Sequence, residues 1–239
     1  MIIVIIALTT ILTFVTWMLL DKPALRYPLG IFSLAFLAFS VYLLTDHFVN
    51  HTGMRVQTTQ THKPIYSAAD PKANFGVVIQ EPIGTKSKHH VMVYRDQPTD
   101  KAPRAHFIPN KKKINQAAKQ EATYRYGDTK DAMLTTRTKR YRFDSDWAKW
   151  LYGFGGEDGQ LVSTKYVVTL PKKTWLVLSK DQAKQLQAAL PQLKADLAKQ
   201  AKLDPRFAMK LQELAAKEPD KLAELQVQKI RDVLGIHTD

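Results

Sequence analysis

The sequence has no cysteine among its 239 residues, which excludes disulfides, thiolate metal ligands and cysteine nucleophiles. It has no charged residue from Ile2 to Leu20, a run of 19, and none from Leu29 to Thr45, a run of 17. A helix needs ~20 apolar residues, with a range of ~17–25, to cross the hydrocarbon of a bilayer. No basic side chain precedes Ile2, and "TWMLLDKPALR" offers no small-residue cleavage site. The marks of a cleaved signal peptide are therefore missing. Two retained spans joined by a short loop are the better reading.

Orientation follows from where the few basic residues near the spans lie. The connection Asp21 to Pro28 holds Lys22 and Arg26, whereas the flank after the second run waits until Arg55 and Lys63. The loop is expected in the cytoplasm and the rest of the chain outside, in a multi-pass protein of the cell membrane. Trp17, Tyr27 and Tyr42 stand near the ends of the runs, where amphipathic rings settle. Thr9, Thr13 and Thr16 on the first run, with Gly30, Ser33, Leu37 and Ser40 on the second, follow helical spacing. Small and hydroxyl residues at such positions let two helices approach closely. With no ionisable group inside either run, the pair reads as an anchor, not a substrate path.

Four segments follow from composition: a transmembrane hairpin over 1–46, a threonine-rich stalk over 47–73, a β-rich domain over 74–178, and a helical segment over 179–239. The strand candidates are "NFGVVIQ", "KHHVMVYR", "ATYRYG", "AMLTTRTKRYRF", "QLVSTKYVVTL" and "TWLVLS". "EPIGTKS" marks a turn, and "DQPTDKAPRAHFIPNKKK" reads as a proline-rich loop. Beyond Ser179 the leucines recur at three and four. Ser179 with Gln182 matches a capping box, Asp204-Pro205 and Glu218-Pro219 open helices, and Gly235 ends one. Pro191 is expected to kink its helix or begin another. Strands followed by helices predict an α+β fold.

The formal net charge is +13, and residues 86–142 hold 15 basic against five acidic side chains. Such an excess is either a solvated coat or a surface for anionic polymer, lipid headgroups or an acidic protein face. Lys111, Lys112 and Lys113 in "NKKK", and Arg137, Lys139, Arg140 and Arg142 in "TRTKRYRF", are the candidate anion-binding residues.

Other features carry less. His47 and His51 are four apart but lack a third ligand, and His89 and His90 are adjacent in a strand, so no metal or other cofactor is expected. "YGFGGEDGQ" precedes a strand pattern and contains Glu157 and Asp158, which suits a hairpin turn better than a phosphate loop. "DSDWAKWLYGF" places Trp147, Trp150, Leu151 and Phe154 at helical spacing, a pattern expected in a core. Asp144 and Asp146 stand beside it without a partner for acid–base work. Bases mixed with rings in "TKRYRF" also suit single-stranded nucleic acid, a partner set aside for an outer domain.

The whole pattern, a charge-free first span, the "DKPALRYPLG" loop, a second span, "HTGMRVQTTQT" and a β-rich body, resembles uncharacterised two-span membrane proteins of lactic-acid bacteria with a domain of unknown function. The resemblance implies a membrane location and no activity. The leading expectation is a non-enzymatic, membrane-anchored outer domain that binds a protein partner, such as a transporter or envelope component. Binding of an anionic envelope polymer or lipid through residues 86–142 comes second, and an envelope hydrolase third.

Overall fold

A computed structural model describes residues 1–84 and 89–236. The fold is α+β: a pair of N-terminal helices, two mixed sheets and C-terminal helices. Helix α1 spans Ile2–Met18 and α2 spans Pro23–Asn50. α2 is longer than the uncharged run because Pro23 supplies a preset first-turn residue and Ala24 to Tyr27 continue the helix. The connection expected over Asp21 to Pro28 is therefore shorter, Leu19 to Lys22. Pro28 lies inside α2 and removes one rung of its ladder.

A strand stands where a stalk was expected. β1, Met54–Pro64, is exposed along nearly its whole length. It pairs along one side only, at the edge of the sheet ordered β1-β6-β7-β5. Both faces are wet, so its sequence shows no hydrophobic alternation. The other strands of that sheet are β5 (Gln120–Gly127), β6 (Met133–Phe143) and β7 (Leu161–Pro171), with β5 and β7 parallel. The second sheet, ordered β4-β3-β2-β8, comprises β2 (Gly76–Pro82), β3 (His90–Tyr94), β4 (Arg104–His106) and β8 (Trp175–Leu178). Here β2 runs antiparallel to β3 and parallel to β8. β4 and a 3-10 turn at Lys111–Lys113 lie in the segment expected as loop, and the short α3 (Ile114–Ala117) follows it. The turn after β2 includes Gly84 at φ 77, while its residues 85–88 lie outside those described.

The chain divides into two compact units, Met1–Thr59 with Thr138–Ser163, and Gln60–Arg137 with Thr164–Asp239. The first contains α1, α2 and α4 (Asp146–Tyr152), whose Ser145 cap accepts from the Ala148 amide. Ile2, Ala148, Leu151 and Tyr152 form its buried cluster. The second unit has two buried clusters. Val78, Met92, Tyr94, Val168 and Leu170 fill one, and Phe75, Val77, Leu176, Leu178, Leu186, Val227 and Ile230 the other. Each such side chain contributes about 1.5–3 kcal/mol on burial.

The capping box of Ser179 and Gln182 opens α5 (Lys180–Leu203), which continues as one helix through Pro191. α6 (Pro205–Lys217) starts at the Asp204 cap and buries no residue, while α7 (Pro219–Leu234) buries Leu222, Ala223, Val227 and Ile230 and ends at Gly235 in the left-handed region.

Candidate functional site

In the first unit the two N-terminal helices pack through small and hydroxyl groups. Thr9, Thr16, Gly30, Ser33 and Ser40 are buried between them, and the Thr16 and Ser33 hydroxyls hydrogen-bond at 3.1 Å. A Cβ on Gly30 would come within 2.8 Å of the Trp17 ring, so only glycine permits that approach. The outward positions are apolar and open: Leu8, Phe14, Ile31 and Phe32 are all 60–68% exposed. Among the described residues one helix, α2, is long and apolar enough to cross a bilayer, and α1 is a shorter apolar helix.

His47 closes the far end of α2. It is fully buried, stacked on Tyr152 at 4.0 Å. Its Nδ1 lies 2.7 Å from the Thr52 carbonyl and its Nε2 lies 2.7 Å from Glu157 Oε2. A carbonyl only accepts, so Nδ1 donates and the Nε2 contact carries a proton from either the ring or the carboxyl. Burial raises the Tyr152 hydroxyl above its usual range, and the charge of Asp46 adds to this. His51 sits beyond it at φ 54, its ring against that of Tyr141 at 4.0 Å between centroids and tilted by 34°. His47 is thus a fastener between α2 and the glycine-rich segment. Among the described residues no three of His, Asp or Glu gather as a metal cluster.

That segment, expected as a hairpin turn, instead joins α4 to β7. Gly156 and Gly159 have positive φ, which lets the chain turn sharply while Glu157 reaches His47 and Asp158 meets Arg142 at 3.2 Å. The sequence signal was there, since two acids amid four glycines repel phosphate but suit nearby cations. What it lacked was the partner, 110 residues away.

The aromatic stripe is also placed differently from expectation. Leu151 is buried, but Trp147 is 65%, Trp150 50% and Phe154 44% exposed. A seven-residue helix has one inward face, and Ala148, Leu151 and Tyr152 occupy it. The two indoles stack on each other at 4.9 Å. The Met1 nitrogen donates to the carbonyls of Trp150 and Leu151 at 3.0 and 2.8 Å.

The basic candidates fall in both units. Lys139, Arg140 and Arg142 belong to the first. Arg140 and Arg142, two apart on β6, share a face and are exposed. Arg140 donates to the Gly159 carbonyl at 2.8 Å. A polar hollow of about 400 Å³ nearby is lined by Arg55, Arg142 and Lys149 together with Asp144, Asp146 and Asp158. Arg137, Lys112 and Lys113 belong to the second unit, all exposed. Arg137 donates to Gln60 at 3.3 Å, and the Asn110 side chain accepts from the Lys112 amide.

The second unit also holds a cavity of about 500 Å³ between α5 and the β2–β8 pair. Phe75, Val77, Leu178, Leu186 and Leu190 line it with Asp70, Lys180 and Lys184. Buried Arg95 donates to the carbonyls of Ser67 and Ala69, holding the chain ahead of β2. His90 meets Gln80 Oε1 at 2.6 Å, and desolvation, with His89 adding, lowers its pKa below 6.5. Burial raises the hydroxyls of Tyr94 and Tyr126.

Residues 22–186 match a protein family described as Domain of unknown function (DUF4811). The match begins in the α1–α2 connection and ends within α5. No curated protein and no solved structure matches the chain.

Proposed function

Because the chain belongs to the DUF4811 family, a domain of unknown function, we propose a role from its own geometry: a membrane-anchored, extracytoplasmic, non-enzymatic domain that binds a protein partner such as a transporter or envelope component. The observation that carries this reading is the inverted hairpin. Hydroxyl and glycine positions are buried between α1 and α2, while phenylalanine, leucine and isoleucine stand open on the outside. A soluble protein rarely leaves a contiguous apolar surface of more than a few hundred Å² uncovered. Lipid covers such a surface at no cost, and the buried small residues then supply helix–helix contact.

Lys22 at the start of α2 and Arg26 in its first turns favour the cytoplasm for that end, by the distribution of basic residues. Support for a protein partner comes from α6, which buries no residue and leaves Met209 71% exposed, with Leu203 before it at 85%. A second reading, binding of anionic polymer or headgroups, is favoured by Arg140 and Arg142 exposed together on β6.

Cysteine labelling tests location and orientation on a chain that has no cysteine of its own. In intact cells an impermeant maleimide should label Thr129→Cys and leave Ala24→Cys unlabelled until the cells are opened. The reverse pattern in a folded protein would place the domain in the cytoplasm. A photo-crosslinker at Met209 should capture a membrane or envelope protein, and no adduct from that face would remove the support that α6 gives.

A further inference from the structure

We propose that Trp147, Trp150 and Phe154 form a foot that lies in the headgroup region of the outer leaflet and sets how deep the first unit sits. The proposal rests on the membrane reading of α1 and α2 and goes beyond it, because it assigns a lipid contact to residues outside both helices.

Depth is the first argument. α1 has 17 residues, so it is about 25 Å long at ~1.5 Å per residue, somewhat short of a hydrocarbon core of ~30 Å. Its Ile2 end therefore cannot stand clear of the hydrocarbon boundary without deepening the mismatch. Ile2 is only 1% exposed and belongs to the same buried cluster as Ala148, Leu151 and Tyr152. Whatever depth Ile2 takes, α4 takes too.

Continuity is the second. Phe154 meets Phe48 of α2 edge to face at 6.1 Å. Phe48 and its neighbour Val49 are 47% and 70% exposed, so Phe154, just past the end of α4, joins the outward apolar surface of the hairpin. Indole, with an apolar body and one N–H, is the side chain that settles at the lipid–water boundary. The charges near α4 are balanced, Lys149 and the Met1 ammonium against Asp144 and Asp146, so they give this face no net pull on a charged surface. Contact through the rings is thus apolar and indifferent to salt, unlike contact through the lysines and arginines.

The test uses the full chain in nanodiscs of zwitterionic phosphatidylcholine, with single nitroxide-labelled cysteines in place of Trp150, of Phe154, of Leu34 on the exposed side of α2, and of Thr129. Collision with oxygen against an aqueous nickel chelate gives depth. Trp150→Cys and Phe154→Cys should both read between Leu34→Cys, deep, and Thr129→Cys, aqueous, and should not move between about 0.05 and 0.5 M salt, where screening of charge contacts changes greatly. If both positions are as open to nickel as Thr129→Cys while Leu34→Cys stays deep, the foot is wrong and the anchor stands; the indoles then serve a protein partner or a second copy. If Leu34→Cys is itself aqueous, the membrane reading fails and takes the foot with it. The Phe154 position leaves both tryptophans in place, so a loss caused merely by removing one indole is told apart.

Discussion

The imidazole of His47 lies face to face with the Tyr152 ring, 4.0 Å between centroids and 7° from parallel. The stack joins the end of an apolar helix to a residue 105 positions later. Both ring nitrogens are engaged, by Thr52 and Glu157, so this polar side chain is tolerated at zero exposure.

Glu157→Ala should cost about 1–3 kcal/mol, the penalty for leaving a buried ring nitrogen without a partner. Glu157→Gln should cost less, because its amide can donate to an unprotonated Nε2. Thermal unfolding in detergent, with proteolysis of the segment between α4 and β7 as a local readout, separates the two. Equal losses would show that the carboxyl's shared proton, not its position, holds the segment.

In the second unit, Gly76 pairs with Trp175 across the parallel β2–β8 ladder. A Cβ on Gly76 would lie 2.1 Å from the indole. Gly76→Ala should therefore force the ring aside and destabilise the unit by about 1–3 kcal/mol, as overpacking does. Combining it with Trp175→Leu should cost less than the sum of the two single changes, since the clash needs both partners. Additive losses in denaturant titration would locate the strain elsewhere.

These contacts show what a linear reading can and cannot reach. The helix pair, its interface at Thr9, Thr16, Gly30 and Ser33, six of the eight strands among the described residues and the caps at Ser179 and Asp204 were legible, because each is written in local periodicity or a short motif. β1 was not, since an edge strand with two wet faces carries no alternation. β4 has only three residues, too few for a period. The aromatic stripe of α4 misled for a different reason. Spacing gives the face a residue occupies but not whether that face meets protein or another medium. The His47–Glu157 contact joins positions 110 apart and had no local signature at all.

The His90 ring should make the second unit lose stability in mild acid. Its pKa is lowered by desolvation, then by the neighbouring charge of His89, from an unfolded value near 6.5. The unfolded chain therefore binds this proton more readily than the folded one. The contribution is complete above pH 6.5 and is lost as pH falls below it through the folded value. His90→Gln should flatten that part of the stability–pH curve relative to the parent. Identical curves for parent and variant, by denaturant titration at a series of pH values, would assign the acid sensitivity to other groups.

The basic residues should give attraction that fades with salt. The Debye length falls from ~30 Å at 0.01 M to ~8 Å at physiological ionic strength, so contacts among exposed charges lose most of their reach. Lys112, Lys113, Arg137, Arg140 and Arg142 are exposed and suited to this behaviour. The appropriate material is the full chain in zwitterionic nanodiscs, because the first unit's buried cluster includes Ile2 of α1 and would be broken by removing the hairpin. Titrated with a soluble phosphate polymer, the parent should bind weakly at low salt and hardly at all at physiological salt. Replacing Lys111, Lys112 and Lys113 by glutamine should weaken binding with little effect on unfolding, as befits a short 3-10 turn. Replacing Arg140 and Arg142 should weaken binding and also lower stability by up to about 1 kcal/mol, because Arg142 pairs with Asp158 and Arg140 with the Gly159 carbonyl. If the parent fails to bind even at low salt, the excess charge is a solubilising coat, and the protein-partner reading is left without its electrostatic rival.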